Sequence, residues 1–112
     1  SAYQRRLRAR PDEPWDHGNL GAAYAGLGRR EDALREGRRA VELMPATRDA
    51  WEGPDLSALL TESYLRFGDH EGAVAAALQF MATQPGNRLL VRYEPRYARV
   101  RDDPRVREAV GR

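Results

Sequence analysis

The apolar positions Leu20, Ala23, Tyr24 and Leu27 recur at the spacing of one helix face. Gly28 follows, a residue that takes the positive φ of a helix terminus without a Cβ penalty. A second stripe of Ala33, Gly37, Ala40, Val41 and Met44 runs up to Pro45, where the residue before proline is pushed out of helical angles. The layout then recurs. Leu56, Leu60, Tyr64 and Phe67 lead to Gly68, and Ala73, Ala77, Phe80 and Met81 lead to Pro85. The connections Gly28-Arg29-Arg30 and Gly68-Asp69-His70 are too short for anything but antiparallel helix pairs. Nothing alternates with period two for long enough to predict a strand, so the expected class is all-α.

Displacing the sequence by 40 residues against itself makes the repetition explicit. Leu20 meets Leu60, Tyr24 meets Tyr64, Gly28 meets Gly68, Glu31 meets Glu71, Ala33 meets Ala73 and Pro45 meets Pro85, six identities in 26 pairs. They fall at punctuation and core positions, as a repeated structural unit requires. A displacement of 34 aligns Pro11 with Pro45 and Leu7 with Val41, so residues 1–13 read as a half-repeat or N-terminal helix. Short side chains at Gly21, Ala33, Gly37, Ala73 and Ala77 let helices approach, and Tyr24 and Tyr64 fill the space beside them. A two-helix unit cannot bury its apolar face alone, so stacking into a short α-solenoid is expected.

The run Leu20-Gly21-x-x-Tyr24, with Gly28, Ala33, Ala40 and Pro45, resembles the tetratricopeptide repeat, TPR. Trp15 lies near the family's tryptophan, although His17 holds its expected place. The second unit carries Leu60, Tyr64, Gly68, Ala73 and Pro85, with Thr61 for the small glycine and Phe80 for the usual alanine. The resemblance implies one TPR-like domain over 1–112: a half-repeat or helix at 1–13, repeat 1 at 14–47, an insertion at 48–53, repeat 2 at 54–87 and a C-terminal cap at 88–112. The insertion lengthens a period that is usually about 34 residues. Its Arg48-Asp49-Ala50-Trp51-Glu52-Gly53-Pro54 is similar to a segment near the end of some bacterial multidomain proteins, where TPR arrays follow kinase-like, cyclase-like or DNA-binding modules. That likeness implies the scaffold part of a larger bacterial protein.

In such repeats the first helix of each unit lines a concave surface that receives a peptide or a partner helix. The motif register places Trp15, Gly18, Asn19, Ala22, Ala25 and Gly26 there in the first unit, and Asp55, Ala58, Leu59, Glu62, Leu65 and Arg66 in the second. The eight residues expected to make the binding face are Trp15, Asn19, Ala22, Ala25, Asp55, Leu59, Glu62 and Arg66. The subclass that grips a peptide C-terminus needs cations and Asn where this chain has Gly18, Ala22, Ala58 and Glu62, and Glu62 repels a carboxylate. A small, nearly uncharged face suits close packing of a helix instead.

Near the C-terminus, Glu94-Pro95 and Asp103-Pro104 each set an acid before a proline. Proline tolerates the first helical position, and Asp caps a helix start. The expectation is a turn or helix near 95–100 and a helix near 104–110, with Tyr93, Tyr97, Val100, Val106 and Val110 covering the last repeat.

Composition narrows the functional classes. The chain has 112 residues, 41% hydrophobic, and a formal net charge of +2, a size suited to one small domain. Cysteine is absent, which excludes a disulfide scaffold and Cys-ligated zinc. No apolar run spans a membrane and no secretory leader is visible, so a cytoplasmic, membrane-free protein is expected. All 19 basic residues are arginine. Residues 1–10 carry +4, residues 11–87 carry −6 and residues 88–112 carry +4. Basic ends admit an alternative function, binding nucleic acid or an acidic partner, but no aromatics interleave Arg5–Arg10 as nucleic acid favours. His17 and His70 lack metal-ligand spacing, and Ser57 and Ser63 lack a glycine elbow. His70 is expected in the inter-helix turn, beside Asp69 and Glu71. Trp15 and Trp51 read as packing anchors. No enzyme, metal or cofactor is expected. The expected function is a protein-interaction scaffold for a protein or peptide partner, with homodimerisation through an open repeat edge as a further expectation.

Overall fold

The computed structural model describes residues 2–9, 13–43 and 53–111. Met44, Pro45, Trp51, Pro11 and insertion residues 48–52 lie outside the described residues, as do the roles expected of them. The elements are α1 (Ala2–Ala9), α2 (Pro14–Gly26), α3 (Arg30–Leu43), α4 (Gly53–Arg66), α5 (His70–Thr83), α6 (Asn87–Tyr93), a 3-10 turn (Pro95–Tyr97), α7 (Ala98–Arg101) and α8 (Pro104–Gly111). The protein is all-helical across the described residues.

Two glycines end the first helix of each pair in the same way. Gly28 has φ 75° and Gly68 has φ 72°. The Gly28 amide donates to Ala25 O at 3.1 Å and the Arg29 amide to Tyr24 O at 2.9 Å. The Gly68 amide donates to Leu65 O at 3.1 Å and the Asp69 amide to Tyr64 O at 2.9 Å. This is the Schellman arrangement, which satisfies the last helical carbonyls and turns the chain back at once. Helix α2 therefore folds onto α3, and α4 onto α5, while α3 packs on α4 and joins the hairpins. Asp69 then caps α5, its carboxylate accepting from the Gly72 amide at 2.8 Å. His70 is the first residue of α5 rather than part of the turn.

Glycines on α2 and α3 let the helices approach closely. A Cβ on Gly21 would meet Ala33 O at 3.1 Å and Gly37 N at 3.2 Å, so α2 and α3 touch through their backbones. A Cβ on Gly37 would meet Leu60 Cδ1 at 3.0 Å, so α3 seats the second hairpin. Leu20, Tyr24, Ala25 and Ala33 form one buried cluster, with Phe67 of α4 packed against it. A larger cluster runs from Leu34 through Leu60, Tyr64, Val74 and Phe80 into the C-terminal segment.

That segment closes the second hairpin. Tyr97, Val100 and Val106 are fully buried, and the Tyr97 ring stacks on Phe80 with centroids 5.9 Å apart. Val110 is half-buried. Tyr93 departs from expectation: it is 69% exposed. Helix α6 is the reason. Its period turns Asn87 and Val91 inward, which leaves Leu89 and Tyr93 on the outer side. Asn87 belongs to α6 and donates from Nδ2 to Phe80 O and Thr83 Oγ1, both at 2.9 Å.

Candidate functional site

The eight expected face residues lie on α2 and α4, which contact one another. Gly18 sets their separation, since a Cβ there would stand 2.7 Å from Leu56 Cδ2 and 3.9 Å from Leu59 Cδ1. Trp15, Asn19, Asp55 and Leu59 are half-buried, and Ala22, Glu62 and Arg66 are exposed. Ala25 is a correction: at 6% exposure it belongs to the core beside Tyr24 and offers no open surface. Gly18, Ala58 and Leu65 are likewise buried rather than presented, because the neighbouring helix occupies that side of each.

Charge on this face is largely balanced by contacts within the chain. Arg66 of α4 donates from Nε to Ala25 O at 3.0 Å and so ties the two hairpins at one end. At the other end Arg96 Nη2 donates to Asp55 Oδ1 at 2.8 Å. The hydrogen bond it gives to Asp55 holds the Arg96 guanidinium pKa above its ordinary value. Glu62 remains an exposed acid between these two ties. Arg96 was not among the expected face residues, and its only sequence signal is the Glu94-Pro95 turn that aims it back.

The histidines have partners that sequence proximity did not indicate. His17 Nδ1 lies 2.5 Å from Glu36 Oε2, linking α2 to α3. His70 Nε2 lies 3.0 Å from Asp103 Oδ2, linking α5 to the cap. Arg105 donates to both Glu71 oxygens at 2.8 and 2.9 Å and to Asp103 Oδ2 at 3.0 Å. The Arg105 hydrogen bonds, followed by that from His70, hold the Asp103 carboxyl well below the usual carboxylate range. Among the described residues, no three His, Asp or Glu side chains gather as a metal site requires. Ser57 and Ser63 are buried. No helix among the described residues is long and apolar enough to cross a membrane. A cavity of about 150 Å³ lies among Val41 of α3, Ser57 and Leu60 of α4, and Ala76 and Phe80 of α5.

No protein-family model matches the chain, and no curated protein or solved structure resembles it closely enough to show kinship.

Proposed function

We propose that the chain is a TPR-like α-solenoid scaffold, part of a larger bacterial protein, that binds a peptide or helix of another protein along α2 and α4. The supporting observation is the pair of tyrosine environments. Tyr64 OH accepts from Arg38 Nε at 2.9 Å, and Tyr24 OH accepts from Gln4 Nε2 at 3.1 Å. Arg38 and Gln4 stand 34 residues apart, so α1 serves α2 as α3 serves α4. This agrees with α1 being the second helix of a preceding unit. Stacked units of this kind leave their first helices on one side, where Trp15, Asn19, Ala22, Leu59 and Glu62 combine apolar contact with few uncompensated charges. No catalytic role is assigned to any residue.

The test is selection from a random displayed peptide library on the full chain. Selected peptides should perturb the resonances of Asn19, Ala22, Leu59 and Glu62. Ala22→Arg should weaken them by about tenfold or more, since a long charged side chain blocks close packing. Glu62→Arg should alter their charge preference. Ala25→Arg is unsuitable because the residue is buried. Binders indifferent to both Ala22→Arg and Glu62→Arg would overturn the assignment.

A further inference from the structure

The described arginines of the C-terminal segment include two contrasting groups, and Arg107 stands apart from both, its Nη2 3.9 Å from Asp102 Oδ1. Arg96 and Arg105 are consumed by Asp55, Glu71 and Asp103. Arg88, Arg92 and Arg99 have no carboxylate within ion-pair distance among the described residues. Two of the second group, Arg88 and Arg92, lie along one edge of the α6 outer face, at i and i+4. Leu89 and Tyr93 lie along the other edge, 59% and 69% exposed. Large apolar side chains this exposed, paired on one helix face and rimmed by cations, mark an interaction surface.

A groove of about 310 Å³ adjoins this face and shares Arg92 with it. Arg101, Arg107 and Val110 line its other walls, with Asp102 as its one acid. Arg101 is held in place by carbonyls rather than by an acid: Nε donates to Val91 O at 3.0 Å and Nη2 to Glu94 O at 2.6 Å. Its orientation is set and its charge is not neutralised by a carboxylate. Arg92 leans on Tyr93, its guanidinium carbon 5.6 Å from the ring centroid. Cationic and apolar features thus meet at one residue.

We infer that the outer face of α6 and the adjoining arginine-lined groove dock an acidic peptide segment of another protein, one with a large apolar side chain beside its carboxylates. The apolar row of Leu89 and Tyr93 takes the anchor, and Arg88, Arg92 and Arg101 take the acids, with Arg107, which faces Asp102, at the rim. The net charge of +4 over residues 88–112 provides the complementary field. A nucleic acid is the poorer fit. Single strands want successive aromatic platforms, whereas here one exposed tyrosine is paired with a leucine, and the acids Glu94, Asp102 and Glu108 are interspersed. This surface is separate from the α2 and α4 face and does not depend on its reading.

The experiment titrates the isotope-labelled full chain with a synthetic peptide whose glutamates flank a phenylalanine and a leucine at helical spacing. Resonances of Leu89, Arg92, Tyr93 and Val110 should move saturably. Affinity should fall by about tenfold in Arg92→Glu and in Tyr93→Ser, two exposed changes whose folding is checked by circular dichroism. Ala22→Arg should leave it unchanged. The inference is overturned if the peptide moves no resonance of the cap. It is also overturned if both variants bind like the parent, if polyglutamate lacking apolar residues binds equally well, or if a single-stranded oligonucleotide binds the cap more tightly than the peptide.

Discussion

In the first hairpin α2 and α3 meet backbone to backbone, with Gly21 lying over Ala33 and Gly37. In the second hairpin the positions 40 residues on are Thr61 and Ala77, both buried, and the Thr61 hydroxyl bonds Ser57 O at 3.1 Å within its own helix. The glycine needed there sits elsewhere: a Cβ on Gly72 would run into the Tyr64 ring. The tyrosines differ accordingly. Tyr24 lies under the Arg29 guanidinium at 4.4 Å, whereas Tyr64 lies beside Arg38 of the preceding hairpin at 5.6 Å. The first hairpin keeps a small cluster of its own, and the second shares a core that continues into Tyr97, Val100 and Val106. What recurs is the turn and the tyrosine. Where the short residue falls depends on which neighbour must come close.

The largest expected effect separates the shared core from the small one. Tyr97→Ala removes a fully buried ring stacked on Phe80 and should cost about 3–5 kcal/mol in urea unfolding. Tyr97→Phe should be near neutral, because the buried hydroxyl has no hydrogen-bond partner among the described residues and burial already pushes its pKa up. A phenylalanine variant as unstable as the alanine variant contradicts this packing. Next comes the backbone contact of the first hairpin. Gly21→Ala should cost about 1–3 kcal/mol, since the atoms it meets are main chain and cannot yield. Gly37→Ala should cost less, because Leu60 Cδ1 is a side-chain terminus. The converse change in the second hairpin, Ala77→Gly, should cost about 1–2 kcal/mol, from helix propensity together with the loss of a buried methyl group.

The turns sharpen the comparison from the other side. Gly28→Ala and Gly68→Ala should each cost about 1–2 kcal/mol, equal within error, because both demand the left-handed region and neither Cβ meets a neighbour. Unequal losses would show that the two turns are not equivalent. The smallest effect is electrostatic and confined to the second hairpin. Hydrogen bonds from Arg105 lower the pKa of Asp103 and of Glu71 in the fold. Carboxyls lowered by folding stabilise it above their ordinary pKa, and that contribution is lost as pH falls through the folded values. Amide protection in α8, corrected for the intrinsic pH dependence of exchange, should therefore be flat between about pH 7 and pH 5 and fall below about pH 4. Asp103→Asn should flatten that fall, and the network, being largely exposed, should matter less than any substitution above.

Local chemistry made the turns readable in the sequence. A glycine after an apolar stripe has few alternatives, and an acid before proline marks a helix start, so Gly28, Gly68, Tyr97, Val100 and Val106 fell where their patterns put them. Helix α6 was not readable, because it starts after Gly86 with no side-chain cap, and its first residue, Asn87, reaches back to the Phe80 carbonyl of α5, a contact without periodic signature. Tyr93 was misplaced for that reason. Long-range polar partners escaped as well: His17 with Glu36, His70 with Asp103 and Arg96 with Asp55 meet only after the helices have stacked. On the candidate face, Ala22 and Glu62 follow from helical register. The burial of Ala25 does not, since the cluster around Tyr24 encloses it.

Proton–proton distances around the two tyrosine rings measure the repeat most directly. The account predicts that the Tyr24 ring lies against the Gln4 side chain of α1 and the Tyr64 ring against Arg38 of α3, each hydroxyl meeting the helix that precedes its own hairpin. A Tyr24 ring with no proximity to α1, while Tyr64 keeps its contacts with α3, would contradict the equivalence of the two units and the scaffold built on it.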